Sequence, residues 1–230
     1  FRLIRLPNLL IVAATGLLIL YVTPWLDAAV VTREFITHSL LLVLFMISHA
    51  AAGNIINDIY DRSVDEKNKP NKVVVGKSIS IRASWWLYVL LSISSFICAI
   101  VLTSVTNDWF YLIVFFCYQV LLFLYSKYLQ KLPLLGNITV ALMIAGVIPV
   151  AYRLVQFHTN HISANSLHSY VLIGLTTYAF LVNLLREIIK DAEDITGDKL
   201  HGYKTIPILL DNKKLQNLML LANSLLILCS

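Results

Sequence analysis

Charge is scarce in this chain. Asp, Glu, Lys and Arg make up 13% of its 230 residues, 58% are hydrophobic, and mean hydropathy is +0.76. A soluble domain of this length does not need so much apolar surface, so the composition excludes an ordinary water-soluble fold. Cysteine is also scarce: Cys98, Cys117 and Cys229 all lie inside apolar runs, and no pair has metal-ligand spacing. They read as packing residues, and no Cys/His set has zinc spacing. No small-residue cleavage site follows the first apolar run, so it reads as a retained span and not a signal peptide. Gly76-Lys77 is not a phosphate loop, because no glycine stands five residues earlier and no strand leads into it. A net charge of +5 raises nucleic acid as a partner. The basic residues, however, sit in loops between apolar runs, which argues against it.

What the chain has is long apolar runs. Seven are expected as transmembrane helices: Leu9–Pro24, Ile36–Ile56, Ala83–Thr103, Trp109–Tyr125, Gly136–Tyr152, Ser169–Ile189 and Leu215–Cys229. The first and last are short, and the last runs to the final residue without a stop signal. The expectation is a longer protein, or a chain ending within a helix. Sixteen of the 18 basic residues fall at the N-terminus or in the second, fourth and sixth connections; only Arg33 and Arg153 lie on the other side. By the positive-inside rule the N-terminus and those connections face the cytoplasm.

Two acidic stretches stand out against this background. Asp58, Asp61 and Asp65 follow the second run, and Asp191, Asp194 and Asp198 follow the sixth. Both read Asp-x2-Asp-x3-Asp, and each member of the second triplet lies 133 positions after its counterpart. Carboxylates at a membrane boundary are costly and usually functional. On a helix Asn57, Asp61 and Asp65 are i, i+4 and i+8, so they stack along one face. Such acceptors repel one another unless a cation intervenes, and hard oxygen ligands completed by phosphate and water suit Mg²⁺. An even number of spans separates the triplets. The expected architecture is therefore all-α, two parallel repeats of about four helices, with both triplets on the cytoplasmic side of one cavity.

Two acidic clusters on one cavity can hold two divalent ions, and two ions can hold a diphosphate. Lys67, Lys69 and Lys72 follow the first triplet, Arg186 and Lys190 precede the second, and Lys127 lies between the halves. All are candidates for phosphate contact, while Lys199, Lys213 and Lys214 read as ordinary flanking charge. Tyr118, Phe123, Tyr125 and Tyr178 are candidates for the cavity wall. A site that generates a carbocation needs π faces and must exclude water. A greasy cavity capped by Mg²⁺ implies a polyprenyl diphosphate. His49, in the second span, reads as a packed or hydrogen-bonded helix histidine, and His158, His161 and His168 as loop residues.

These residues resemble a known family. Asn57-Asp58-Ile-Tyr-Asp61-Arg-Ser-Val-Asp65, Asn68-Lys69-Pro70, Tyr125-Ser126-Lys127, Pro133-Leu-Leu-Gly136-Asn137, Arg186-Glu187-Ile-Ile-Lys190-Asp191-Ala-Glu-Asp194-Ile-Thr-Gly197-Asp198 and Lys204-Thr205-Ile-Pro207 are similar to motifs of the UbiA-type membrane prenyltransferases. The resemblance implies one integral-membrane domain over residues 1–230, carrying seven of about nine helices. It implies Mg²⁺-dependent joining of a prenyl diphosphate to a lipophilic acceptor within the membrane, with no nucleic-acid partner and no protein partner inferred. It assigns metal–diphosphate binding to Asn57, Asp61, Asp65, Asp191, Asp194 and Asp198. Asp61, Asp65, Asp194, Asp198, Lys127 and Lys190 become the catalytic set. Asn54, Asn57, Asp58, Lys69, Lys72, Tyr125, Arg186 and Asp191 become the substrate-binding set. The Arg-Glu-Ile-Ile-Lys-Asp and Asn-Lys-Pro stretches look most like the geranylgeranylglyceryl phosphate branch, where Arg often stands at Lys69 and Lys72. An aromatic acceptor, as in quinone biosynthesis, is the alternative. The expected location is the cell membrane, with the site facing the cytoplasm.

Two other classes fit less well. A cation transporter would line a pathway with acidic groups, but none lies mid-span. A CDP-alcohol phosphotransferase wants Asp-Gly and Ala-Arg within its motif, whereas Ile follows Asp58 and Arg follows Asp61.

Overall fold

The computed structural model describes residues 3–22, 32–71, 73–159, 166–210 and 212–229. Its elements are α1 (Leu6–Val22), α2 (Arg33–Tyr60), α3 (Arg62–Asn68), α4 (Ile81–Thr106), α5 (Phe110–Lys127), a 3-10 turn (Leu129–Lys131), α6 (Leu135–Ala145), α7 (Val147–His158), α8 (Ser166–Glu193), α9 (Ile195–Leu200), α10 (Ile206–Leu209) and α11 (Asn212–Cys229). Apart from one isolated bridge between Val75 and Ile79, the regular structure of the described residues is helical.

Five segments are long and apolar enough to cross a membrane: α2, α4, α5, Leu135–His158 and Ser169–Glu193. The chain is a multi-pass membrane helix bundle. Of the seven expected spans, the first forms a shorter apolar helix, with Pro24 outside the described residues. The last forms α11, whose Lys213, Lys214, Gln216 and Asn217 dilute its apolar character. The fifth is not continuous. Pro149 lacks an N–H, and its ring crowds the carbonyl four residues earlier, so the helix breaks at Gly146 between α6 and α7. An added Cβ at Gly146 would collide with the Tyr118 hydroxyl, so this break also seats α5.

Local chemistry sets the helix ends. Thr32 accepts from the Phe35 N–H at 3.1 Å to open α2, and Ser80 accepts from Ala83 at 3.1 Å to open α4. Asn107, at φ 51°, closes α4 in the left-handed region that Asn tolerates. The α2–α4 seam carries Ser48, His49, Ser94 and Ser95. Ser48 Oγ lies 3.2 Å from Ser94 Oγ, and Ser95 donates to the Phe45 carbonyl at 3.3 Å. Small polar side chains let membrane helices approach closely and bond across the seam. At the far end of the bundle, Arg153 pairs with Asp108 at 2.8 Å. His158, expected in a loop, instead ends α7 with Nε2 3.0 Å from His38 Nδ1. His161 and the His168 side chain lie outside what is described.

The packed core fills the half of the bundle away from the acidic stretches. Phe35, Leu42, Phe45, Leu102, Tyr111, Ala151 and Leu154 are among its buried members. One face of α2 between Phe45 and Asn57 also lines a cavity. Helices α2 and α8 also correspond: Ser166 and Glu193 follow Arg33 and Tyr60 by the same 133 positions that relate the acidic triplets.

Candidate active site

Each acidic stretch forms a long helix, a one-residue bend and a short helix. Asp61 is the bend between α2 and α3 (φ −84°, ψ −2°), and Asp194 is the bend between α8 and α9 (φ −98°, ψ 5°). Backbone bonds run through both bends: Asp61 N to Asn57 O and Asp65 N to Asp61 O at 2.8 Å, then Asp194 N to Lys190 O and Asp198 N to Asp194 O at 3.1 Å. The i, i+4 register read from the spacing therefore survives the change of direction.

The carboxylates divide by environment. Asp61, Asp65, Asp191 and Asp198 line one small polar pocket with Tyr125, Gln130, Asn137, Lys190 and Tyr203. Asn57 Nδ2 donates to Asp61 Oδ2 at 2.8 Å, Gln130 Nε2 to Asp61 Oδ1 at 2.6 Å, and Asn137 Nδ2 to Asp191 Oδ2 at 2.8 Å. Burial pushes the Asp61 carboxyl up to about 6, against a lowering by Lys190. Burial, then Asp191, Asp194 and Asp61, push Asp198 up to about 7. Asp65 is also raised, by burial and then by Asp58. Asp58 and Asp194 are engaged elsewhere. Arg5 pairs with Asp58 at 2.5 Å, and Lys69 Nζ lies 2.6 and 2.8 Å from the two oxygens of Asp194.

A second, apolar cavity adjoins the first. Val12, Phe45, Met46, His49, Val114, Tyr118, Leu122, Val140, Met143 and Val150 form its walls, and Arg5, Asn8, Asn54, Asn57 and Arg186 stand among its polar lining. Tyr125 and Lys190 line both spaces, so the polar pocket and the apolar cavity meet at these two side chains. Asn54 lines the cavity while donating to the Ile4 carbonyl at 2.9 Å. His49 is buried, with Nδ1 3.3 Å from Ser95 Oγ.

Several expected roles change. Lys127 is not brought to the site; its ammonium lies over the rings of Phe123 and Tyr128, at 5.5 and 5.0 Å. Phe123 and Tyr178 face outward, at 37% and 38% exposure, and do not line the cavity. Lys69 meets a carboxylate, and Arg186 pairs with Glu187 at 2.8 Å. Lys72 lies outside the described residues. Among the described residues, no three His, Cys, Asp or Glu side chains converge as a ready metal cage.

The donor set still fits Mg²⁺, which keeps water and borrows phosphate oxygens rather than demanding an all-protein cage. Asn57 Oδ1 is buried with no hydrogen-bond partner among the described residues, so one hard oxygen is left over beside Asp61. Gln130, Asn137 and Tyr203 are site residues that the spacing arguments did not single out.

A multi-pass helix bundle with a carboxylate-lined pocket beside an apolar cavity defines a class of membrane protein with a two-part interior site, polar on one side and apolar on the other. The particular family follows from comparison. The model of the UbiA prenyltransferase family matches residues 9–230, and the chain belongs to that family. It is 34% identical over 177 residues to the digeranylgeranylglyceryl phosphate synthase of Thermococcus kodakarensis, covering 76% of this chain. The chain spans 58% of that relative's length. A solved structure concerning digeranylgeranylglyceryl phosphate synthase in membranes superposes with a TM-score of 0.70 at 24% identity, over 100% of this chain and 74% of the other. A UbiA homologue from Archaeoglobus fulgidus, bound to GPP and Mg²⁺, superposes at 0.65 and 19% identity, over 99% and 75%. The all-α, UbiA-like fold is thereby established.

Proposed function

We propose that this chain forms the catalytic part of a Mg²⁺-dependent intramembrane prenyltransferase. It moves a polyprenyl group from a prenyl diphosphate to a lipophilic acceptor, geranylgeranylglyceryl phosphate. The observation that carries the reading is the junction at Tyr125 and Lys190, where the polar pocket meets the apolar cavity. A prenyl diphosphate has that two-part chemistry. The relatives named digeranylgeranylglyceryl phosphate synthase support the acceptor. Residues 1–230 are one domain, two parallel four-helix repeats around the cavity, carrying seven of about nine helices of the whole protein. The site faces the cytoplasm from the cell membrane.

Asn57, Asp61, Asp65, Asp191 and Asp198 would hold the metal, with Asp194 joining once its ion pair opens. Bound Mg²⁺ supplies charge neutralisation and Lewis-acid polarisation at the leaving diphosphate. Lys190 stands where the head meets the tail and compensates charge on the bridging oxygen. The C1–O bond breaks, and its electron pair leaves with diphosphate. The π face of Tyr125 borders the allylic cation, and the apolar walls keep water from it. Arg5, Asn8 and Arg186 at the cavity's polar end suit an acceptor phosphate. The acceptor hydroxyl attacks C1, a C–O bond forms, and its proton passes to the carboxylate-lined pocket.

Incubating the purified protein with Mg²⁺, labelled prenyl diphosphates and a panel of glycerol-phosphate and aromatic acceptors tests the reading. Ether formation with the glycerol phosphate, abolished by EDTA and restored by Mg²⁺, is expected. Transfer only to an aromatic ring would move the chain to the quinone branch, and full activity in EDTA would remove the metal assignment.

A further inference from the structure

The two bend carboxylates are equivalent in position and unlike in company. Asp61 is met by two neutral amides, Asn57 at 2.8 Å and Gln130 at 2.6 Å. Asp194 is met by a cation, with Lys69 Nζ at 2.6 and 2.8 Å from its two oxygens. Lys69 is not swinging freely into that place. Its own N–H donates to the Asp65 carbonyl at 2.8 Å to close α3, and the preceding Asn68 is bonded to the second bend at both ends of its amide. The other charges near Asp194 along its own chain are Lys190, Asp191 and Glu193, four, three and one residues before it, and Asp198, four after. An ammonium resting against both oxygens of a carboxylate, in a site of carboxylates, stands where a divalent ion would otherwise bind.

We propose that Lys69 is a built-in counter-cation for Asp194, which a divalent ion must displace before the second half of the site can load. The inference rests on the metal reading above and goes beyond it by making the two halves unequal. Among the described residues Asp61 itself is hydrogen-bonded only by the two amides, so it accepts an ion without breaking an ion pair of its own. The Asp194 half accepts one only when Lys69 has another anion to go to, and an incoming diphosphate is such an anion. Lys69 thereby acts as a positioning residue: it keeps the two bends together in the substrate-free protein and makes full metal loading depend on the substrate's head.

The test counts ions on the substrate-free protein, without turnover. Mn²⁺ is titrated into wild-type protein in detergent and followed by electron paramagnetic resonance, with and without inorganic diphosphate. One tight ion alone and two with diphosphate are expected. Two ions of equal affinity without diphosphate would overturn the proposal. Lys69→Met should tighten Mn²⁺ binding in the absence of diphosphate by roughly two- to fivefold, the upper part of the range for losing a competing, partly exposed ion pair. Its metal-free thermal midpoint should fall. Lys69→Arg, which keeps the charge, should retain the wild-type titration. Unchanged or weaker Mn²⁺ binding in folded Lys69→Met would show that Lys69 does not compete. If Lys69→Met does not fold, the wild-type ion count decides alone. No ion under either condition would remove the metal reading itself. Normal ion counts without prenyl transfer would instead remove the activity and leave this inference standing.

Discussion

Asn68 holds Gly197. The Asn68 Oδ1 accepts from the Gly197 N–H at 2.6 Å, and its Nδ2 donates to the Asp194 carbonyl at 3.1 Å. One side chain from the first acidic stretch thus fixes the backbone of the second, 126 and 129 residues away. The fit leaves no room for a side chain at 197, because an added Cβ would collide with the Asn68 carboxamide.

Gly197→Ala should therefore expel Asn68 and free the second bend. Two partly buried hydrogen bonds are lost, so a cost of about 1–3 kcal/mol is expected. Thermal unfolding and prenyl transfer of Gly197→Ala, Asn68→Ala and the double variant check this. The double variant should be no worse than Asn68→Ala alone, since its clash is gone. Independent, additive losses would show that the two residues are not one contact.

Asp61 and Asp194 should act as a unit in turnover. Asp61→Asn and Asp194→Asn keep size and lose charge. Each should lower prenyl transfer on the order of a hundredfold or more, as losses of charge stabilisation at a leaving group do. The double variant should be little worse than either single, because groups that act together are not additive. Lys213→Ala, on an exposed side chain, should change little. Near-normal turnover of a folded single Asp variant would separate the two bends functionally.

The parts legible in the sequence were those written in local spacing. The acidic triplets announced their own faces, because i, i+4 geometry is a property of the helix alone. Their common offset of 133 also fixed the correspondence of α2 and α8. What spacing could not carry was tertiary reach. Gln130 reaches Asp61 across 69 residues, and it does so because the 3-10 turn packs on Gly136, where a Cβ would lie 2.9 Å from Gln130 Cα. Lys127 misled for the same reason. Its place between the two halves, in the Tyr125-Ser126-Lys127 stretch, suggested the site, yet two residues after Tyr125 its ammonium turns to Phe123 and Tyr128. The Gly146 break was legible in principle from Pro149, but hydropathy averages through it.

Stability of the metal-free protein should fall as pH rises. Asp61 and Asp198 titrate at about 6 and about 7 in the fold, above the ordinary carboxylate value of 3.8. The folded state therefore binds more protons than the unfolded chain between pH 4 and 7, and unfolding free energy declines with pH across that window. The stabilisation is full below about pH 4 and gone above about pH 7. Mg²⁺ competes with these protons, so its stabilising effect should grow over the same range. Thermal midpoints at pH 5, 6, 7 and 8, in EDTA and in Mg²⁺, test the sign. Asp198→Asn should flatten the EDTA profile. A wild-type midpoint in EDTA that rises relative to Asp198→Asn from pH 5 to 7 would contradict the assignment.

The depth of the apolar cavity should set the longest tail accepted. Along α2 it runs from Asn57 to Phe45, twelve residues, which at helical rise is about 18 Å. Val114 on α5 and Val150 on α7 line it as well. Three or four residues beyond Phe45, Val114 and Val150 lie Leu42, Tyr111 and Leu154, all fully buried in the packed core and outside the cavity's lining. A bulkier side chain at this end should therefore exclude long tails and leave short ones untouched. Val114 is only partly buried, so Val114→Phe can fill cavity space without forcing an already close-packed position. Its prenyl transfer from a C20 diphosphate should fall at least about tenfold relative to C10, an overlap cost of roughly 1.4 kcal/mol or more. Thermal stability should stay within about 1 kcal/mol of wild type, as for a tolerated hydrophobic swap. Assays with C10, C15 and C20 diphosphates at matched concentrations give the comparison. Equal loss at all three lengths with the fold intact would mean that the tail does not reach Val114, and that this part of the cavity does not select the substrate.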